Sequence, residues 1–182
     1  LAIHLRDSGQ LSNAELWPRL RHFVLLNRPR GARQTAQLLG PGQDKTLDTL
    51  WDKPARFLAR LNQVERANQP AWGVIATLRL AASDPAEAAE ALQAPWALAL
   101  RPEWAAAAWG GVARQAALRL MPEAAAWADK ALAMHTRAPA GQGLTDENLA
   151  WIARAYLRDT VQQPQSWLKV GAAIEAMSAQ SQ

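Results

Sequence analysis

The 182-residue sequence has no cysteine, and it has few of the residues that favour β-strands. Without cysteine, the chain has no disulfide bond, no thiolate nucleophile and no zinc site built from cysteine ligands. It contains one tyrosine and two phenylalanines, and no run of four β-branched residues. Alanine and leucine dominate instead, with 40 and 25 residues. Because both favour helices, the composition predicts an all-α fold.

Long apolar runs and clusters of one charge are absent as well. A helix that crosses a bilayer needs about 20 consecutive apolar residues, and arginines interrupt every Ala/Leu stretch before that length. We therefore expect no transmembrane segment. The net charge is only +4, from 20 basic and 16 acidic residues, and the sixteen arginines are scattered along the chain. This distribution does not favour a nucleic-acid partner.

Helix starts are marked by N-cap residues and by prolines. Ser12 and Glu15 have the spacing of a capping box, which predicts a helix that reaches about Asn27. Thr145 precedes two acidic residues, as is typical of a helix N-terminus. By the same signals we predict further helices at 29–39, 44–51, 54–65, 70–82, 85–92 and 102–120, a short one after Pro95, and helices from Pro122, Thr145 and Pro164. Residues 135–144 are predicted to form the one long loop.

The predicted helices pair into a repeat. In three units a leucine near the end of one helix is followed 14 residues later by a second leucine, and a proline lies at the start of the second helix. The leucine pairs are Leu25/Leu39, Leu78/Leu92 and Leu118/Leu132, and a fourth, longer unit joins Leu157 to Met177. Units recur at 53, 40 and 39 residues. This pattern predicts an α-solenoid of paired antiparallel helices.

Sequence signatures of catalysis and of metal or cofactor binding are missing. His4, His22 and His135 are far apart and belong to no HExxH motif, and the chain has neither a phosphate-binding glycine loop nor a GxSxG elbow. We therefore expect no metal or cofactor site. Most glutamates have a structural explanation, because they fall in predicted first turns, where the helix dipole favours a carboxylate. These are Glu15, Glu87, Glu103, Glu123 and Glu147.

Nine tryptophans are the least ordinary feature of the composition. Trp151, Arg154 and Arg158 follow one another at i, i+3 and i+7, opposite the apolar face of the predicted helix. They are our candidate ligand-facing residues, for a glycan or for bases, because an indole stacks on sugar rings or bases and arginines attract anions. We favour the other interpretation of Trp151, in which it fills a space between closely packed helices. Packing is the role that we predict for Trp72, Trp104 and Trp167, which lie on apolar faces.

Three stretches resemble the helical N-terminal region of soluble lytic murein transglycosylases. They are WGGVARQAALRL at 109–120, LTDENLAWIARAYLR at 144–158 and SWLKVGAAIEAM at 166–177, and weaker likeness extends to SGQLS at 8–12 and LLNRP at 25–29. The resemblance covers nearly all of the chain, but it concerns a helical scaffold and not an active-site motif. It implies a right-handed superhelix, in which residues 1–182 form one helical segment of a larger U-shaped domain.

The resemblance also implies an activity for the whole protein. Members of the family are periplasmic, and they cleave the β-1,4 bond between N-acetylmuramic acid and N-acetylglucosamine in peptidoglycan, leaving a 1,6-anhydro end. Their C-terminal catalytic domain carries a Glu-Ser pair, a Gly-Leu-Met-Gln segment and an Ala-Tyr-Asn segment, and none of these occurs here. We therefore expect the parent protein to be the enzyme and this segment to be a non-catalytic scaffold, which contacts glycan strands as part of the full-length protein.

An alternative is a stand-alone helical-repeat adaptor of the tetratricopeptide kind, which would bind a peptide or protein partner. Repeats of that kind recur strictly at 34 residues. The spacing here is nearer 40 and irregular, which favours the scaffold over the adaptor.

Overall fold

The computed structural model describes residues 12–61, 69–161, 163–179 and 181, and these residues form helices and turns without any strand. The all-α prediction is thus confirmed for them. Eleven helices lie within these ranges: α1 (Asn13–Leu25), α2 (Pro29–Leu39), α3 (Gln43–Asp52), α4 (Pro54–Leu61), α5 (Gln69–Ala81), α6 (Pro85–Ala91), α7 (Pro95–Leu98), α8 (Pro102–Leu118), α9 (Ala124–His135), α10 (Asp146–Asp159) and α11 (Ser166–Glu175). None of these helices has the length and apolar character needed to span a bilayer.

The predicted caps form as the sequence indicates. In the capping box of α1, the Ser12 amide donates to Glu15 Oε2 at 2.8 Å. The Asp84 carboxylate caps α6 by accepting from the Glu87 amide at 2.9 Å. Prolines begin helices α2, α4, α6, α7 and α8, since the first helical position needs no amide hydrogen.

Helix ends differ from the predictions by a few residues. Helix α1 ends before Asn27, and α8 ends before Leu120, because each of these residues has a positive φ, 51° and 59°. This left-handed conformation terminates a helix. Pro122 and Pro164 each lie in a turn two residues before a helix begins, so they do not open α9 and α11 as predicted. The predicted end of α4, at residues 62–65, lies outside the described residues.

The helices that begin the predicted repeat units contact one another in succession. Helix α1 contacts α5, α5 contacts α8, and α8 contacts α10. The second helices of the units, α2, α6, α9 and α11, each pack against the first helix of their own unit. Helix α5 lies at the centre of this arrangement and is buried on nearly every side.

Glycine allows a close approach between α5 and α8. A Cβ built on Gly111 of α8 would lie 2.1 Å from Leu78 Cδ2 of α5. At the end of the same helix, the Arg119 guanidinium donates to the Ala82 carbonyl at 2.6 Å and so satisfies the C-terminal end of α5. Helix α8 also contacts α10, where Arg114 Nη2 and Glu147 Oε1 form an ion pair at 2.7 Å.

The prediction of which residues are buried in the last two helices, α10 and α11, was partly wrong. Trp167 is 64% exposed and Leu157 is 47% exposed, whereas the helical pattern predicts both on buried faces. The face of α11 that packs on α10 carries Ser166, Val170 and Ala173. Helix α11 has apolar residues on two sides, so its hydrophobic pattern does not decide which side is covered. In the structure, Ser166 Oγ donates to Asp159 at 2.5 Å, which fixes the rotation of the helix.

The other tryptophans singled out for packing have that role. Trp72 is buried, and its indole Nε1 donates to Gln43 Oε1 at 2.8 Å. The ring centroid of Trp17 lies 5.2 Å from that of Trp72 in an edge-on arrangement and 5.8 Å from that of the half-buried Trp104. These rings join α1, α5 and α8.

Candidate functional site

The three candidate residues line a single surface groove, which we call the Trp151 groove. Its volume is about 210 Å³, and it lies where α10 meets the end of α8, the following turn and the start of α9. Helix α10 contributes Trp151, Arg154, Arg158 and also Asp159. The spacing of i, i+3 and i+7 therefore places the side chains together, as the sequence predicted. That they face a glycan remains a prediction.

Trp151 has the packing role that the sequence left open, and its ring also lines the groove. The half-buried ring packs against a small alanine-rich cluster that includes Ala116 and Ala155. The guanidinium carbon of Arg154 lies 4.9 Å from the ring centroid, within the range of a cation–π contact. The packing and the cation restrict the motion of the indole, so the groove presents a ring of fixed orientation.

The charged side chains of the Trp151 groove differ in whether they already have hydrogen-bond partners. The Arg158 side chain is exposed and makes no hydrogen bond or ion pair with any described residue. The Asp159 carboxylate, in contrast, accepts the Ser166 hydroxyl at the start of α11. With two arginines and one carboxylate, the groove carries a net positive charge, and Arg158 is the cation left free for a ligand.

The apolar side of the groove depends on the turn between α8 and α9. Leu120 has a left-handed backbone there, and the Met121 amide donates to the Ala116 carbonyl at 2.9 Å, which closes the end of α8. This turn brings Met121 and Pro122 to the groove beside the small side chains of α9. A left-handed leucine costs roughly 1–3 kcal/mol, so the packing around the turn must hold it in place.

The arrangement suits recognition better than chemistry. An indole offers an apolar face for stacking, and free guanidinium donors bind carboxylates or hydroxyls. The one carboxylate in the groove is already hydrogen-bonded. Among the described residues, no group of three or more histidine, aspartate or glutamate side chains is placed to hold a metal ion.

Glu103 is the one charged residue that is buried in the described part of the chain, with 5% of its surface exposed. It lies in the first turn of α8, as predicted, and pairs with Arg101 Nη2 at 2.6 Å. Burial lowers the pKa of the nearby Arg21, and the Glu103 charge opposes that shift. Glu103 does not line the Trp151 groove, and its ion pair with Arg101 lies at the start of α8.

The histidines are separated in the structure as they are in the sequence. His135 Nδ1 accepts the Leu144 amide at 3.3 Å, across the loop at 136–145. His22 is exposed on α1, and its ring centroid lies 6.1 Å from that of Phe23. His4 lies outside the described residues.

A second groove, between α2 and α3, was missed in the sequence. It has a volume of about 290 Å³ and is lined by Pro29, Arg30, Arg33, Leu47, Asp48, Trp51 and Asp52. Arg30 and Arg33 are three residues apart, and Asp48, Trp51 and Asp52 share one helix face, so a signal was present within each helix. Nothing in the sequence, however, indicates that these two faces meet.

Comparisons of this chain with protein-family models, with curated proteins and with solved structures found no match. The fold and the two grooves therefore rest on the sequence and the structure themselves, and the resemblance to lytic transglycosylases enters only as a proposal.

Proposed function

We propose that this chain is a non-catalytic helical scaffold segment of a soluble lytic murein transglycosylase. The paired helices then form part of a right-handed superhelix, and the parent protein works on peptidoglycan in the periplasm. The quoted likeness at 109–120, 144–158 and 166–177 supports this assignment. The succession of contacts from α1 through α5 and α8 to α10 also supports it, because stacked units of this kind make an extended array.

The observation that carries the proposal is the joint position of Trp151, Arg154 and Arg158 in one groove. In this proposal the indole stacks on a sugar ring of the glycan strand. The arginines attract the carboxylates of the peptide stems, since a groove of one charge sign concentrates ligands of the other. The scaffold thereby holds the strand near the catalytic domain.

The cleaving acid belongs, in this proposal, to a domain outside this sequence. The residues of this chain bind and orient the polymer, and they transfer no proton to the glycosidic oxygen. Glycoside cleavage needs an acid held beside the scissile bond. The buried Glu103 is ion-paired and lies away from the Trp151 groove, and Asp159 is occupied by Ser166.

Cosedimentation with purified peptidoglycan tests the role of the groove. We expect the double variant Trp151→Ala, Arg154→Ala to bind at least about tenfold more weakly, since it loses a stacking surface and a charged donor. Trp167→Ala is the matched control, because Trp167 is an exposed tryptophan of α11 that does not line the groove. Circular dichroism checks that each variant keeps its helices.

Two results would reject the glycan role. One is an unchanged affinity of the double variant while its helix content is preserved. The other is an equal loss of affinity in Trp167→Ala, which would show that any exposed indole suffices. An adaptor for peptides predicts the first result.

A further inference from the structure

The second groove, which we call the Trp51 groove, contains an unusual combination of side chains for a surface between two helices. An indole from α3, two guanidinium groups from α2 and two carboxylates from α3 line a space of about 290 Å³. This size is close to the lower limit of small-molecule sites, about 300 Å³. It suits a ligand of one to three rings that stays partly exposed.

The indole is held in place from outside the groove. The guanidinium carbon of Arg79 lies 5.0 Å from the ring centroid of Trp51. The same side chain donates from Nε to the Trp51 carbonyl oxygen at 3.3 Å. Arg79 belongs to α5 and does not line the groove. The ring is therefore oriented before any ligand arrives, which lowers the entropy cost of binding.

One polar pair is fixed and another is free. Arg33 Nη2 and Asp48 Oδ2 form an ion pair at 2.9 Å, although both side chains remain about half exposed. Arg30 and Asp52 are exposed and make no hydrogen bond or ion pair with any residue that the structure describes. The groove therefore holds one free cluster of donors and one free pair of acceptor oxygens beside the ring.

The charges in the groove cancel, and this decides the class of ligand. The groove contains two guanidinium groups and two carboxylates. The carboxylates repel an anionic ligand, and the guanidinium groups repel a cationic one. A purely apolar ligand would remove four charged groups from water without giving them partners, which is costly. A neutral ligand that carries many hydroxyl groups avoids all of these penalties, because each hydroxyl both donates and accepts.

We propose that the Trp51 groove is a binding site for a short neutral oligosaccharide. The apolar face of a sugar ring stacks on Trp51. Asp52 accepts from ring hydroxyls, Arg30 donates to them, and the Arg33–Asp48 pair orients the next sugar. The inference does not depend on the proposed function, because the Trp51 and Trp151 grooves share no residue.

The test is a titration of the whole chain with three uncharged trisaccharides, chitotriose, cellotriose and maltotriose. Binding is followed through the indole N–H resonances in the NMR spectrum. We expect at least one of them to bind in the millimolar range or tighter and to shift the Trp51 resonance. Trigalacturonate, a trisaccharide with three carboxylates, is expected to bind more weakly.

Variants with intact folds locate the site. Asp52→Ala and Arg30→Ala remove exposed, unpaired side chains, and each is expected to weaken binding about tenfold, as loss of a hydrogen bond to a charged group does. Arg137→Ala is the matched control for charge, because Arg137 is an exposed arginine beyond α9. Trp151→Ala should leave this affinity unchanged, which separates the result from that for the other groove.

Three outcomes would overturn the inference. These are no binding of any neutral trisaccharide at millimolar concentration, tighter binding of trigalacturonate than of the neutral sugars, and unchanged affinity in both Asp52→Ala and Arg30→Ala.

Discussion

Tyr156 shows how one buried side chain makes the molecule sensitive to pH. Its ring is fully buried in α10, and its hydroxyl donates to Asp129 Oδ1 of α9 at 2.8 Å. Lys169 Nζ of α11 lies 2.8 Å from the same carboxylate. Burial raises the pKa of Tyr156 far above its ordinary value of 10.0, and the bond to Asp129 adds to the rise. Helices α9, α10 and α11 therefore meet at Tyr156, whose hydroxyl is protonated when it donates to Asp129.

This raised pKa predicts a loss of stability in alkali. Below about pH 10 the tyrosine is protonated in both the folded and the unfolded chain, so its contribution is complete. Above pH 10 the unfolded chain releases the proton and the folded chain does not, so the free energy of unfolding falls as the pH rises. In Tyr156→Phe this fall is expected to be smaller, although the variant is about 1–2 kcal/mol less stable at neutral pH.

Urea denaturation of both proteins at several pH values between neutrality and the alkaline range measures the difference. The two proteins differ only in the phenolic hydroxyl, so the difference between their pH slopes reports its ionisation. An identical pH slope for the wild type and Tyr156→Phe would show that the phenol ionises as easily in the folded chain as in the unfolded one.

The residues of the Trp151 groove could be predicted from the sequence in part. The spacing of Trp151, Arg154 and Arg158 needed only the period of a helix, and all three line the groove. Asp159 was not predicted, because its position follows from the meeting of α10 with the end of α8 and from its bond to Ser166. A contact between elements has no signal within a single helix.

The contact of helix α5 with helix α8 depends on the absence of a side chain at position 111. Gly111→Ala would place a Cβ at 2.1 Å from the Cδ2 atom of Leu78, so this buried side chain would have to shift. Alanine favours a helix over glycine by about 1 kcal/mol, but overpacking costs about 1–3 kcal/mol. We expect a net destabilisation of up to about 2 kcal/mol.

Gly171→Ala is the matched control. Gly171 lies in α11 and is exposed, and no atom lies within 4 Å of the position that a Cβ would take there. The same substitution should therefore stabilise the protein by about 0.5–1 kcal/mol. Urea denaturation of the two variants gives the signs, and a stabilising effect of Gly111→Ala would contradict the close approach of α5 and α8.

Helix starts were more predictable than helix orientations. A cap such as Ser12 or Thr145 acts within four residues, so its effect can be derived from the sequence alone. The exposure of Trp167 could not be derived in this way, because both sides of α11 are apolar. The side that faces α10 is chosen by polar contacts, from Ser166 to Asp159 and from Lys169 to Asp129.

Across the whole molecule, polar side chains connect the successive first helices of the units. Arg119 of α8 binds the carbonyl end of α5, and Arg114 of the same helix pairs with Glu147 of α10. Both arginines lie near the packed alanine and glycine surface of α8. The successive helices are therefore joined both by close apolar packing and by specific charged contacts.

The arrangement of the grooves follows from this construction. Each groove lies where helices of adjoining segments meet, and each presents a tryptophan whose ring is contacted by an arginine. Stacked helix pairs leave such junctions at intervals along their surface. Under the proposed glycan role, a polymer with repeating sugar rings contacts both grooves at once, and simultaneous contacts raise the overall affinity.

We propose that this chain holds peptidoglycan and does not cut it. The most direct measurement incubates the chain with purified peptidoglycan and determines, by chromatography and mass spectrometry, the 1,6-anhydro products in the soluble fraction and the protein in the pellet. We expect that the chain sediments with the peptidoglycan and that no 1,6-anhydro product appears above the level of the buffer control. Release of such products, or a chain that stays entirely in solution, would contradict it.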